Sequence, residues 1–348
     1  MGKNYRVIQW ASGTVGQFAI RHFASNPDFE LIGVLVTNPE KAGKDAGEIA
    51  DCGVTGVIAT DDVDAILRLD ADCVHYAPRS LDLETVCRIL RSGKNVVTPS
   101  GYWYPTDRYK EQFDQLDAAC REGGVSFHGG GIHPGFAGDI LALTNARLMD
   151  RIDCIHLQEI VNYGAGPSFH YVPHMGFGQS EEEFHANPRR GTEAPFLFAQ
   201  GMAMVIEQLG CEMEKLETHV EVRLADRDIA YPGGVIRKGT VAGQHFWWEA
   251  YAGGAPLVVY HGYWCFGADV EPAWDCRDSK YRIIIEGDPG TEVTLQGVLM
   301  PDGRRHNPGM HWTSMLGVTA IPDVCDGPPG VLTHVDLGVV RPRGLVRR

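Results

Sequence analysis

The sequence predicts an α/β protein: an N-terminal Rossmann domain with a parallel sheet, followed by an α+β domain with a mostly antiparallel sheet. Three observations predict it. Short apolar runs alternate with helical patterns through the first 150 residues, the signature of βαβ units. A glycine-rich turn, 11-ASGTVG-16, joins the first apolar run to the first helical pattern. After about residue 150 the periodicity changes to alternating segments such as 154-CIHLQEIV-161, 245-HFWWEAYA-252 and 281-YRIIIEG-287.

In the first part the expected strands are 5-YRVIQW-10, 30-ELIGVLV-36, 72-DCVHYA-77, 95-NVVT-98 and 125-VSFH-128, with 57-VIAT-60 as a weaker candidate. Helical spacing runs over 17–25, 62–69, 82–93 and 107–124, and the last two stretches begin with Asp and end with Gly. The second part adds 217-ETHVEV-222 and 291-TEVTLQGVLM-300 as strands and one helix near 193 to 209. The expected domains are 1–150 for dinucleotide binding and 151–306 for substrate and dimerisation. Residues 307–348, which include the helical stretch 307-NPGMHWTSMLGVTAIPDV-324, are expected to pack back on the first.

Composition narrows the function. A chain of 348 residues, 44% hydrophobic and 22% charged, is long enough for two sizeable cores. Its formal charge of -14 argues against nucleic acid or an anionic membrane as partner, and for a small-molecule substrate. Nine cysteines, odd in number and without a CxxC pair, suggest reduced thiols in the cytoplasm rather than a disulfide framework or zinc ribbon. The opening MGKNYRVIQW enters a strand almost directly, so no secretory leader is expected, and no apolar run reaches the roughly 18 residues of a membrane span.

The turn formed by Ala11, Ser12, Gly13, Thr14, Val15 and Gly16 is a G-x-G-x-x-G fingerprint with Ala in the first place. Gly13 lets backbone approach a pyrophosphate, Gly16 lets helix and strand pack closely, and the helix N-terminus offers N–H groups to phosphate. No acid follows Val36 at the end of the second strand, where an NAD binder holds the ribose 2′-OH. Thr37, Asn38, Lys41 and Lys44 stand there instead, which favours NADP(H) over NAD(H) without excluding the latter. Ala77 and Pro78, at the carboxyl end of the third strand, are placed with the cofactor, because open α/β sheets bind ligands at that edge.

The stretches 7-VIQWASGTVG-16, 41-KAGKDAGEI-49, 92-SGKNVVTPSGYWYP-105 and 129-GGGIHPGFAGD-139 together resemble the dihydrodipicolinate-reductase-like family. That family contains 2,4-diaminopentanoate dehydrogenase and the native amine dehydrogenases. The resemblance extends more weakly to 159-EIVNYGAG-166 and 176-GFG-178. It implies a Rossmann domain, a dimer-forming α+β domain, an active site between them and a homodimer. Amine-forming members carry a glutamate in the loop after the KNVV-type strand, thought to activate ammonia; here 98-TPSGYWYP-105 holds no carboxylate. The paired-His, Lys-rich stretch of true dihydrodipicolinate reductases is also missing. The resemblance therefore carries architecture and cofactor further than reaction.

Hydride transfer requires a proton donor beside the acceptor carbon. Tyr102 and Tyr104 of that loop are candidates, as is His133 in 128-HGGGIHPGFAGD-139; the alternatives are a pocket wall for the aromatics and a turn-stabilising bond for the histidine. Ser100 and Trp103 are expected to line the substrate pocket, under a lid bearing Asn162, Tyr163, His170, Tyr171 and His174. The His170/His174 spacing would suit zinc on a helix, but Pro173 and neighbouring glycines oppose one, and no metal is expected. The aromatics of 246-FWWEAY-251 are expected in the core and dimer interface, and Asp139 as the cap of the helix after it. The expected function is an NAD(P)H-dependent oxidoreductase that reduces a C=O or C=N group of a small, rather apolar molecule. The alternatives are an amine dehydrogenase or imine reductase, and a dinucleotide-binding sensor without turnover.

Overall fold

Six parallel strands form the first sheet of the computed structural model, which describes residues 4–165, 172–187, 194–303, 305–343 and 345. In chain order they are β1 (Tyr5–Trp10), β2 (Phe29–Leu35), β3 (Cys73–Tyr76), β4 (Asn95–Thr98), β5 (Ser126–Gly129) and, far along the chain, β14 (Gly330–Val331). Their spatial order is β14-β5-β4-β3-β1-β2. The order reverses between β1 and β3, which opens a crevice at the carboxyl ends of those two strands. Valine and isoleucine suit strands buried on both faces, and Ile8, Val74, Val96 and Val97 are fully buried.

One face of this sheet packs against α3 (Val63–Leu67), α4 (Leu83–Arg91) and α5 (Lys110–Gly123), through Ile66, Leu90 and Leu116. The other packs against α1 (Thr14–Ser25) and the helix Gly309–Cys325, through Phe23, Val318 and Ile321. By its contacts the chain divides into two units, Met1–Phe136 with Gly309–Arg348, and Ala137–Pro308. The parallel sheet belongs to the first.

The weak strand candidate at 57–60 is not a strand. Only the isolated bridges Leu35↔Thr60 and Asp45↔Ile58 form there. Asp45 gathers the segment instead and caps the helix α2 (Ala46–Ala50): its carboxylate accepts from the backbone N–H groups of Gly47, Thr55 and Gly56 and from the Thr55 hydroxyl. Those donors favour the ionised form and hold its pKa down to about 2, the Thr55 N–H contributing most.

In the second unit, β6 (Arg151–Asn162), β7 (Lys215–Leu224), β10 (Val241–Ala252), β11 (Ala255–Cys265), β12 (Lys280–Asp288) and β13 (Thr291–Gln296) form a sheet in the order β13-β12-β6-β11-β10-β7. All its pairs are antiparallel except β6 with β11. A small hairpin of β8 (Ile229–Tyr231) and β9 (Gly234–Ile236) stands apart, missed by sequence because three-residue strands carry almost no periodicity. Alternation splits 246-FWWEAY-251 between two faces. Phe246, Trp248 and Ala250 are buried on one, where Phe198 of the helix Ala194–Gln208 packs 5.1 Å from both Trp248 and Tyr260. Trp247, Glu249 and Tyr251 point to the other.

One further expectation is corrected: the cysteines are not all free, since Cys265 and Cys276 form a disulfide. Their eleven-residue separation is no motif; the turn after β11 brings the two together. Among the described residues, no helix is long and apolar enough to cross a membrane.

Candidate functional site

The glycine turn Ala11–Gly16 is built from below. Gln9, fully buried at the end of β1, donates from its amide to the carbonyl oxygens of Trp10 at 3.1 Å and Ala11 at 2.8 Å. Its own oxygen accepts from Nδ1 of His75 on β3, 2.7 Å away. Burial holds the His75 pKa down to about 4, so the ring is neutral and keeps its Nδ1 proton for Gln9. The pair fixes Ala11 in a left-handed conformation with φ of 70°, where a non-glycine residue costs roughly 1–2 kcal/mol. Sequence reading missed both residues, because their meeting is a cross-strand event between β1 and β3.

Two glycines of the turn have different reasons. A Cβ on Gly16 would lie 2.1 Å from the Ala11 carbonyl oxygen, so helix and strand approach too closely for any side chain. Gly13 sits at φ of -70°, which any residue adopts, and a Cβ there would meet nothing within 4 Å. The protein itself does not require that glycine; the open space above it fits an approaching pyrophosphate. Gly13 caps α1 without a side-chain hydrogen bond, and no acid sits in the first turn, so the N–H groups of Thr14, Val15 and Gly16 are presented to an anion.

At the end of β2, Thr37 and Asn38 are exposed, and the Asn38 side-chain oxygen caps the following turn by accepting from Glu40 N–H. The two lysines separate. Lys41 reaches back so that its ammonium donates to the Ser12 carbonyl at 2.8 Å and hydroxyl at 3.3 Å, whereas Lys44 pairs with Glu48 on the surface. Ala77 donates its N–H to the Trp10 carbonyl across the switch point, which places the start of the next loop beside the phosphate turn.

The β4 loop hangs on that same corner, because the Ser100 hydroxyl donates to the Pro78 carbonyl at 2.6 Å. Tyr102 takes a left-handed φ of 59° and packs its ring edge-on against Tyr109 and Phe113, in the apolar cluster shared by α4 and α5. Burial foremost, then Tyr109, raises its pKa. Trp103 and Tyr104 are both buried, each 9% exposed. The loop presses on the end of β5: a Cβ on Gly129 would come within 2.2 Å of the Tyr102 carbonyl. From β5 the chain coils tightly, with Gly131 N–H donating to the Pro134 carbonyl, and half-buried His133 lies in this coil. The loops bearing Tyr104 and His133 thus meet at the carboxyl ends of β4 and β5.

Within the second unit, the Asn162 side chain accepts from Gly164 N–H at 3.0 Å and shapes the turn that ends β6. Tyr163 packs against Phe177 and, edge-on, against Trp264. Trp264 donates its indole N–H at 3.1 Å to Glu159, a buried carboxylate on β6. His174 is exposed in the short helix Val172–Met175; His170 and Tyr171 lie outside the described residues.

Residues 137–346 match the family described as the 2,4-diaminopentanoate dehydrogenase C-terminal domain, and residues 7–125 match the dihydrodipicolinate reductase N-terminus. An amine dehydrogenase from Streptomyces virginiae is 30% identical over 347 residues, covering 95% of each chain. The chain belongs to the family of 2,4-diaminopentanoate dehydrogenase and these amine dehydrogenases. A 2,4-diaminopentanoate dehydrogenase from Acetoanaerobium sticklandii is 26% identical over 241 residues, 68% of this chain and 64% of its own length. An amine dehydrogenase structure from Mycobacterium smegmatis superposes with a TM-score of 0.82 at 20% identity, covering 98% of both chains. This member of the family is an enzyme, an NAD(P)-dependent oxidoreductase.

Proposed function

We propose that this enzyme uses NADP(H) in preference to NAD(H) to reduce a C=O or C=N group of a small, rather apolar molecule, and that it works as a cytoplasmic homodimer. The observation that carries the cofactor preference is Lys41. Its ammonium lies on Ser12 at the phosphate turn, at the end of a strand that offers no carboxylate to a ribose 2′-OH. Thr37 and Asn38 would add hydrogen bonds to a 2′-phosphate, and the N-terminus of α1 above Gly13 would hold the pyrophosphate.

When bound, the nicotinamide supplies the hydride. The chain supplies position and a proton. Tyr102 has its ring committed to packing on Tyr109 and Phe113, which leaves Tyr104 and His133 as the better candidates to protonate the developing alkoxide or amine. Trp103 and Ser100 belong to the same loop, and a wall of this kind excludes water and favours an apolar substrate body. For the homodimer, the support is the outer face of the second sheet, where His245 and Tyr263 stack at 4.2 Å beside Trp247 and His261.

Reductive amination is the second reading, favoured by the relative named an amine dehydrogenase that spans nearly the whole chain. Following NADPH oxidation with a carbonyl, with a preformed imine, and with the carbonyl plus ammonia separates the two. Turnover with NADH as efficient as with NADPH would remove the cofactor preference.

A further inference from the structure

Glu217 and Glu249 face each other across β7 and β10, the two strands at one end of the second sheet. Carboxylates directly opposite one another repel, and a strand pair is more stable with unlike partners there. The same register sets His219 opposite Trp247 and Lys215 opposite Tyr251. Side chains two apart on a strand share a face, so Glu217 and His219 stand on one side of β7, the side that Glu249 takes on β10. One donor atom from each of the three, a carboxylate oxygen or an imidazole nitrogen, lies within 4.8 Å of the other two.

The spacing inside this group suits an ion better than a direct bond. Nε2 of His219 is 3.5 Å from Oε2 of Glu249, well beyond the roughly 2.7–2.9 Å of a charge-assisted hydrogen bond. Two donors held at about 2.0–2.1 Å on a tetrahedral zinc ion are about 3.4 Å apart. The neighbours keep the donors in place. The Tyr251 hydroxyl reaches Oε2 of Glu217 at 3.2 Å and Oε2 of Glu249 at 3.4 Å, an orienting contact of the kind that accompanies metal ligands. Each carboxylate oxygen has two lone pairs, so the phenol leaves one free for a cation. Trp247 stacks on His219 with ring centroids 4.8 Å apart and sets the plane of the imidazole. Lys215 donates to the other oxygen of Glu217 at 2.5 Å, which offsets one of the two negative charges and leaves Oε2 facing the group.

Two carboxylates and one imidazole are a zinc-type donor set: three protein ligands, with a fourth position for water. Magnesium and calcium favour all-oxygen surroundings, and an imidazole in the set turns the preference toward transition ions. We propose that Glu217, His219 and Glu249 form a binding site for a divalent transition-metal ion of the zinc class. The ion converts the repulsion between the opposed carboxylates into attraction and clamps β7 onto β10. Neither the glycine turn nor the candidate proton donors take part, so the site stands apart from the reaction. Sequence spacing carries no sign of it, because the third donor comes from a different strand.

The test is calorimetric titration of the chelator-treated, full-length enzyme with zinc chloride, together with thermal melts. Wild type is expected to bind zinc more tightly than magnesium and to melt at a higher temperature with zinc than without it. Glu249→Gln and His219→Gln are each expected to weaken zinc binding by roughly 100-fold, and Tyr251→Phe, which keeps all three donors, by roughly tenfold. Without zinc, Glu249→Gln should melt no lower than wild type, since the amide relieves the facing charges, and its lost affinity is then not a folding defect. His261→Gln probes the neighbouring imidazoles, where His261 lies 3.4 Å from His156 and 3.2 Å from His245, and should leave zinc affinity unchanged. Wild-type zinc affinity in both Glu249→Gln and His219→Gln, loss of zinc binding in His261→Gln instead, or magnesium bound as tightly as zinc overturns the proposal.

Discussion

Nδ1 of His75 lies 2.7 Å from the side-chain oxygen of Gln9, and through Gln9 it holds the carbonyls of Trp10 and Ala11 in place. The glycine turn thus depends on a buried chain of side-chain hydrogen bonds beneath it. Replacing His75 by Leu leaves the Gln9 oxygen buried without its donor, at an expected cost of about 1–3 kcal/mol in unfolding free energy. NADPH affinity should fall as well, because the turn loses its brace. Denaturant unfolding and cofactor titration on the same variant check both. Ala11→Gly acts oppositely: relieved of its left-handed φ, the variant should be more stable by about 0.5–1 kcal/mol with the cofactor affinity kept.

Gly13 and Gly16 should behave differently although both belong to one motif. A Cβ at Gly13 meets no protein atom within 4 Å, so Gly13→Val should fold with a melting temperature near that of wild type and lose cofactor binding. Gly16→Ala drives a methyl group against the Ala11 carbonyl 2.1 Å away and should destabilise the fold itself. Thermal melts with and without NADPH distinguish the two. Cofactor binding by Gly13→Val at wild-type affinity would reduce the turn to a structural one.

Lys41→Ala should weaken NADPH binding by roughly tenfold or more, the worth of a charge-assisted hydrogen bond, and affect NADH far less. Lys44→Ala, which removes a partner only from Glu48 on the surface, should leave both affinities unchanged. Fluorescence titration of each cofactor against each variant provides the measurement.

For the proton donor, Tyr104→Phe and His133→Ala are the informative pair. The variant that removes the donor should lower kcat by roughly 10²–10⁴-fold with NADPH affinity preserved. Tyr102→Phe keeps the ring that packs on Tyr109 and Phe113 and should retain most of the rate. A rate loss confined to Tyr102→Phe would return that residue to the chemistry.

Stability should decline on mild acidification. His75, His334 and His261 have pKa values held down to about 4, and His128 to about 3, first of all by burial in each case. An unfolded histidine titrates near 6.5, so between that value and the folded pKa the unfolded chain binds more protons, and stability falls as pH drops. His128 and His334 lie edge to face with ring centroids 4.6 Å apart, so protonating one also opposes protonating the other. The expected result is a denaturation midpoint that is level above pH 6.5 and falls progressively toward pH 4. Replacing His75 with Gln should shallow that decline.

Strand, turn and helix at the N-terminus were legible because each is local: a run of valine and isoleucine, a glycine turn, a helical period. The glycine turn from Ala11 to Gly16 and the change from a parallel to a mostly antiparallel sheet follow from such patterns, as does the family resemblance. Tertiary structure decided what depends on distant parts of the chain meeting. Residue spacing cannot say that His75 braces Gln9, that Lys41 rather than Lys44 turns back on Ser12, or that Cys265 pairs with Cys276. Nor can it say that Tyr102 folds away into an apolar cluster while Glu159, one polar letter in an alternating strand, is enclosed by aromatic side chains from β11 and β12. A strand's period tells which face a residue shares, but the neighbours across that face come from other strands, and they set its burial, its protonation and its chemistry.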